Sequence, residues 1–313
     1  MPVAILDPAL DPDHLAIAHR LARSAPLRCY VEAPLPDGLG AGLTRRHDAL
    51  LRHVQGLAAR GEMPGMDELS ARSNLFRRVW AERGVLHEPD AAQLLGWAGY
   101  AQAVRALTGL PQVEPTMLYI NALLPGQELM WHTDTPEFVG LDKQDVPEWL
   151  LVCMLHSGLF DASRVMVAGG VTFLGAVDGG AFGWIDGEAR HSLAPADGNA
   201  ILLDADLHPH GVDRVGGPAA PAPPVTPTSA LVPVPGGWSL REGDDEVAAY
   251  GLGEVRVSIQ WKARCTAGAR GPHLTAQGAI DRLRDHLAAE GTPTPEQGVG
   301  LAIALIEAFA PSW

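Results

Sequence analysis

Lysine is nearly missing from this chain. Of 23 basic residues only Lys143 and Lys262 are lysines, against 37 acidic residues, and the formal net charge is −14 over 313 residues. Such a balance disfavours long contact with a nucleic-acid backbone, which needs clustered positive charge. Cysteine is scarce as well. Cys29, Cys153 and Cys265 are widely spaced, odd in number and free of any CxxC pairing, so the sequence shows no disulfide framework and no paired-thiol zinc or redox site. No apolar run is long enough to suggest a transmembrane span. The opening residues MPVAILDPALDPDH lack the basic-then-apolar order of a signal peptide. The expectation is a cytoplasmic protein, monomer or homodimer, with a small-molecule substrate ahead of a protein substrate, and with no nucleic-acid or membrane partner.

What the chain does have is apolar residues, at 47%, and abundant turn formers, with 35 glycines and 26 prolines. It can build a substantial core threaded by many loops. Apolar spacing predicts helices over Asp13–Ser24, Thr44–Arg60 with Thr44 as N-cap, Asp67–Arg83, and Asp90–Thr108 with Asp90 as cap. Past Pro111 the character changes. Met117–Ile120, Leu150–Leu155, Val165–Leu174, Ala181–Ile185, Ala200–Asp204 and Val255–Trp261 are short, apolar or β-branched, and read as antiparallel strands. Gly179-Gly180 and Asp186-Gly187 read as turns. The proline density of residues 216–236 argues against a helix or a central strand there, and leaves a surface excursion or a lid. Trp238–Tyr250 reads as a hairpin around Glu242-Gly243-Asp244, and two helices follow from Thr275, split at Gly291-Thr292-Pro293. The expected organisation is one compact domain. It has a helical N-terminal layer over 1–112, a β core over 113–265 with an insertion at about 215–250, and a helical extension over 266–313.

The chemistry-bearing feature is His132-Thr133-Asp134. In a strand, side chains alternate faces, so His132 and Asp134 share one face and Thr133 takes the other. A second histidine lies far downstream in ILLDADLHPHGVDR, where His208 and His210 compete. Two histidines and one carboxylate form the facial set associated with non-haem Fe(II) oxygenases, which leaves three metal positions open for reactants. His156 and His191 are weaker candidates. His156 reads as a strand or pocket histidine, and His191 as a loop residue.

YINALLPGQELMWHTD, GGAFGWIDG, GNAILLDADLHPHGVD and VRVSIQWKA, in that order, resemble the 2-oxoglutarate and Fe(II)-dependent dioxygenase superfamily over about residues 113–265. The resemblance implies a mainly β fold with flanking α-helices around a double-stranded β-helix, or jelly roll. It also implies Fe(II), 2-oxoglutarate and O2 as cofactors. The HGV match selects His210, making His132, Asp134 and His210 the implied metal ligands and catalytic set. The RxS match selects Arg256 and Ser258 for the remote carboxylate of 2-oxoglutarate. In the family this arginine follows the distal histidine closely, whereas here it lies 46 positions further on. An insertion explains the gap, because loops tolerate length. Arg214 is the runner-up and Arg264 a further candidate. Alternation along VRVSIQW places Arg256, Ser258 and Gln260 on one face. Tyr119 and Asn121 share a face of their strand and are candidate cofactor contacts, and Trp131 is a candidate for the substrate pocket. The implied activity is an oxygenase of secondary metabolism, hydroxylating an unactivated C–H of an amino acid, a peptide-like compound or another small metabolite. Desaturation, epoxidation, cyclisation and protein side-chain hydroxylation use the same centre. Asp134 itself disfavours halogenation, because the family's halogenases carry Gly or Ala there. The alternative of another class is a non-catalytic jelly-roll protein that binds a small molecule.

Overall fold

Along its second half the chain passes back and forth between two antiparallel sheets. In the computed structural model, which describes residues 1–30, 47–267, 271–292, 295 and 298–309, the Gln112–Leu123 strand lies in the larger sheet and Leu129–His132 in the smaller. Arg164–Leu174 returns to the larger, and Phe182–Asp186 with Ala189–Leu193 to the smaller. Ala200–Asp204 is larger, His210–Val212 smaller and Arg256–Thr266 larger. This alternation is the double-stranded β-helix, and it confirms the expected jelly-roll core. In the larger sheet the spatial order is Ala200–Asp204, Arg164–Leu174, Arg256–Thr266, Gln112–Leu123. In the smaller it is Ala189–Leu193, Phe182–Asp186, His210–Val212, Leu129–His132.

The turns follow local chemistry. Gly179, Gly180 and Gly187 all have positive φ, a conformation that costs glycine little. Gly180 has a second reason to be glycine, since an added Cβ would fall 2.9 Å from Arg256 Cδ.

Four parts of the fold differ from expectation. The N-terminal third is not only a helical layer. Ala4–Leu6, Leu27–Cys29 and Phe76–Glu82 extend the larger sheet. The predicted Asp67–Arg83 helix stops early, as helix Met66–Ser73, and gives way to the Phe76–Glu82 strand. Leu150–Leu155 is not a strand but the centre of the Glu148–His156 helix. That helix is buried on every side, so its sequence carries no amphipathic period to separate it from a core strand. Within the proline-rich region Ala230–Val234 is a strand between two others. It pairs with Gly237–Glu242 over five residues but with Leu27–Cys29 only at Ala230 and Leu231, so Pro233, which has no N–H to give, lies beyond the doubly paired part.

Asp90 caps no helix. It lies inside the Pro89–Ala91 3-10 turn and pairs with Arg20 at 2.6 Å. Thr44 and Pro293 lie outside the described residues. The expected hairpin is present as Gly237–Glu242 paired with Asp245–Gly251.

Alternation splits the core in two at the larger sheet. Leu118, Ile120, Ile259 and Trp261 face outward onto Leu94, Tyr100 and Val104 of the N-terminal helices. The inner face meets Phe182, Trp184 and Val212 of the smaller sheet through Leu123, Val171 and Phe173. A third cluster joins the Glu148–His156 helix to the C-terminal helices through Trp149, Leu150, Leu283 and Leu305. The three cysteines are buried, and no disulfide joins them. Among the described residues no helix is long and apolar enough to cross a membrane.

Candidate active site

The space between the two sheets is a cavity of about 340 Å³, and it contains the metal-capable residues. His132 ends its strand directly opposite His210 in the neighbouring strand, and the two rings stand 4.5 Å apart. Asp134 follows two residues later, pinned by its backbone N–H to the Ala205 carbonyl at 2.8 Å. One ligand atom from each of His132, Asp134 and His210 falls within 4.8 Å of the others. Asp134 Oδ1 lies 3.9 Å from His210 Nε2.

Backbone carbonyls fix both imidazoles. His132 Nδ1 donates to Met130 O at 2.7 Å and His210 Nδ1 donates to His208 O at 2.9 Å. A carbonyl can only accept, so each Nδ1 carries a proton, which leaves Nε2 as the atom each ring can offer to a metal. Phe182 stacks on His210 at 5.4 Å. The donor set suits a divalent iron centre with open positions.

His208 stays outside the cluster. Its own N–H and that of Leu207 both return to Asp204 O, closing a tight turn in place of the extended backbone that would align it with His210. Its Nδ1 also bonds Asp204 O, and its Nε2 lies 3.8 Å from Asp186. His156 is exposed at its helix end rather than in a strand or the pocket. His191 is exposed in the Ala189–Leu193 strand, not a loop, and stacks on Trp184.

Arg256 is only 2% exposed. Its Nε donates to Gly180 O at 2.7 Å, Nη1 donates to Ser258 Oγ at 3.2 Å, and its guanidinium lies 5.1 Å from the Phe173 ring centre. Nη2 is buried and has no hydrogen-bond partner, and among the described residues no carboxylate pairs with this arginine. Burial pushes the guanidinium down to about 9. A buried, uncompensated cation is costly, and an anionic ligand would supply the missing partner. Ser258 Oγ also accepts from Gln260 Nε2 at 3.1 Å, which leaves its own O–H to donate to the same anion. The residues present therefore fit both a divalent metal and a carboxylate-bearing cosubstrate.

Arg214 and Arg264 are committed elsewhere. Arg214 Nη2 lies 2.9 Å from Glu62 and 3.5 Å from Glu128, and Arg264 Nε lies 2.6 Å from Glu137. Tyr119 and Asn121 both line the cavity. Trp131 does not. Period two turns it away from His132, onto the far side of the sheet, where it packs against Gly183 and Gly211 under the Arg190 guanidinium. No residue of 216–236 lines the cavity. That segment packs instead on the Pro125-Gly126-Gln127 turn ahead of the Leu129–His132 strand, where Gly126 has positive φ and a Cβ would strike Pro221 O.

Two cavity residues escaped the sequence reading. Lys262 continues the Arg256, Ser258, Gln260 face by one more step, and its Nζ lies 2.8 Å from Asp134 Oδ2. Arg77 lay hidden in the stretch read as helix. It pairs with Asn121 across the sheet and donates Nε to Asn121 Oδ1 at 2.9 Å.

No family model and no curated protein matches the chain. Among solved structures it is similar to HygX from Streptomyces hygroscopicus with nickel and 2-oxoglutarate bound, at 12% identity and TM-score 0.43, over 88% of this chain and 89% of that one. It is similar to a Pseudomonas putida prolyl-4-hydroxylase at 13% and 0.38, over 84% and 91%. It is also similar to an oxidoreductase of the 2OG-Fe(II) oxygenase family from Burkholderia pseudomallei, at 18% and 0.37, over 76% and 99%. Identities and scores this low leave the chemistry to be read from the side chains themselves.

Proposed function

We propose that the chain is an iron(II)- and 2-oxoglutarate-dependent oxygenase that hydroxylates an unactivated C–H of an amino acid, a peptide-like compound or another small metabolite. The observation that carries this reading is the placement of Arg256, buried and without a carboxylate partner, in the same cavity as the His132, Asp134 and His210 cluster. A metal site alone would suit many enzymes. A metal site with a buried arginine waiting for an anion suits a chelating dicarboxylate.

His132, Asp134 and His210 would hold the iron, and Arg256 with Ser258 would hold the remote carboxylate of 2-oxoglutarate. Bound together, iron and cosubstrate supply the oxidising chemistry with O2, releasing succinate and CO2. The protein's part is placement. The Met130 and His208 carbonyls orient the imidazoles. Lys262 occupies the outer oxygen of Asp134, leaving Oδ1 on the side of His210. Leu129, Val171, Phe182, Leu203 and Val212 make the nearby wall apolar, which excludes water and strengthens each charge contact inside.

The test is calorimetric titration of the iron-loaded protein with 2-oxoglutarate without oxygen, then succinate measurement under air. Absence of binding would end this reading.

A further inference from the structure

Arg77, like Arg256, has no carboxylate partner among the described residues. The arginines around it are paired in an acid-rich chain: Arg72 with Glu68, Arg78 with Glu88, Arg164 with Asp204 and Asp206, Arg214 with Glu62 and Glu128, Arg264 with Glu137. Arg77 and Arg256 line the cavity, and neither has a carboxylate partner among the described residues.

Arg77 is also held in a set pose. Its guanidinium lies 4.0 Å from the ring centre of Tyr30 and 4.4 Å from that of Tyr119. A ring face attracts a cation without taking up its N–H groups, which stay available to another partner. Nε is taken by Asn121 Oδ1, which fixes the rotation of the fork. The two Nη groups donate to no side chain or carbonyl among the described residues. A guanidinium held against two tyrosine rings and tethered at Nε is prepared for a planar oxyanion.

The two arginines serve different ends of the inner face. Arg256 lies opposite Leu123 at the start of its strand, whereas Arg77, Asn121 and Ser258 form one cross-strand row and Lys262 with Met117 a later one. Arg77 reaches this row from Phe76–Glu82, one strand beyond Gln112–Leu123 and two from Arg256–Thr266. The cavity's acids do not serve it. Asp134 pairs with Lys262 and Glu137 with Arg264, and Glu148 lies in the first turn of its helix, where the helix dipole favours a negative charge.

We infer that Arg77 recognises a carboxylate on the substrate that is oxidised, so that this enzyme acts on small carboxylic acids. The inference rests on the proposed oxygenase reading, in which Arg256 serves the cosubstrate.

The test uses wild type, Arg77→Met and Arg77→Lys, each loaded with Ni(II) so that no turnover occurs. Thermal shift gives the affinity first for 2-oxoglutarate. Then, with 2-oxoglutarate present, it gives affinities for N-acetyl amino acids with a free carboxylate and for the matching carboxamides. Wild type is expected to bind at least one acid about tenfold or more tightly than its amide, the worth of a charge-assisted fork. Arg77→Met should lose that preference while keeping 2-oxoglutarate affinity. Arg77→Lys, which retains the charge and guards against a folding defect, should fall between. The inference is overturned if no acid outbinds its amide in wild type, or if Arg77→Met keeps the preference. It is overturned equally if Arg77→Met loses 2-oxoglutarate itself, which would make Arg77 a cosubstrate residue. Wild type that prefers acids through Arg77 yet binds no 2-oxoglutarate would support the carboxylate site and refute the oxygenase reading.

Discussion

Lys262 Nζ lies 2.8 Å from Asp134 Oδ2, the oxygen turned away from the one nearest His210. Burial pushes Asp134 up, but Lys262, His210 and His132 together outweigh it and hold the carboxyl below its usual range. Burial likewise pushes Lys262 down, and Asp134 reverses this, raising the ammonium above its usual range. The lowered acid contributes stability above the ordinary carboxylate range and loses it as pH falls through its folded value. The raised base contributes below the ordinary amine range and loses it as pH rises through its folded value. The pair is therefore intact across the neutral window. Lys262→Met should cost the metal-free protein about 3 kcal/mol, because it strands a mostly buried carboxylate. Added Ni(II) should recover part of the loss by supplying a replacement charge. Urea unfolding with and without metal decides it: an equal deficit in both conditions would mean that Lys262 only packs.

Arg256 invites the opposite result. Its burial with no carboxylate partner among the described residues costs the unliganded protein stability. Arg256→Met is expected to leave the unliganded protein as stable as wild type or more so. The same change should weaken 2-oxoglutarate binding about a hundredfold, near 2.7 kcal/mol, for loss of a buried charge-assisted contact. Anaerobic calorimetry and urea unfolding on the same preparation read both quantities. Unchanged cosubstrate affinity would remove Arg256 from its assigned role.

The competition between His208 and His210 has a direct readout. His210→Ala should weaken Ni(II) or Fe(II) binding more than about a hundredfold, beyond the range seen when only a supporting contact to a ligand is lost. His208→Ala leaves the His208 carbonyl in place to orient His210, so metal affinity should stay within a few-fold of wild type. Metal titration of the two variants checks this, and the reverse ranking would reassign the third ligand.

How much of this was legible in the sequence depended on whether a residue's local pattern matched its surroundings. Ala200–Asp204 was read to the residue, because turn formers flank a short buried run. Glu148–His156 was misread because its helix is covered on all faces and shows no period. Arg77 was missed because helix formers in Met66–Ser73 run directly into Phe76–Glu82, where a register shift between Val79 and Ala81 breaks the alternation. The metal ligands are readable because His132 and Asp134 stand two residues apart at the end of a strand and the HGV motif marks His210. Adjacency to His132 points to the pocket for Trp131, whereas the same period-two rule sends it to the opposite face. Lys262 needed only one further step of that rule.

Asp206 gives the fold a pH signature to which the proposed metal ligand Asp134 contributes. Arg164 Nη2 serves two buried carboxylates, Asp204 at 2.6 Å and Asp206 at 3.1 Å. The Met1 amino group is a second cation, 3.7 Å from Asp204 Oδ2, and it leaves Asp206 to share Arg164. Burial pushes Asp206 well above the usual carboxylate range. Asp204 and Asp134 add to the rise, and Arg164 opposes it without prevailing. A carboxyl whose folded value exceeds its unfolded value contributes stability at low pH and loses it as pH climbs through the folded value. Wild type should therefore lose stability from this group as pH rises from about 4 toward 8. Asp206→Asn mimics the protonated acid and should flatten that slope, making the variant more stable than wild type at pH 8 while giving no such advantage at pH 4. Urea unfolding across this range provides the measurement. A variant that keeps the wild-type slope, or is less stable than wild type at pH 8, would show that Arg164 holds both carboxylates charged and that Asp206 is the stronger partner of the two.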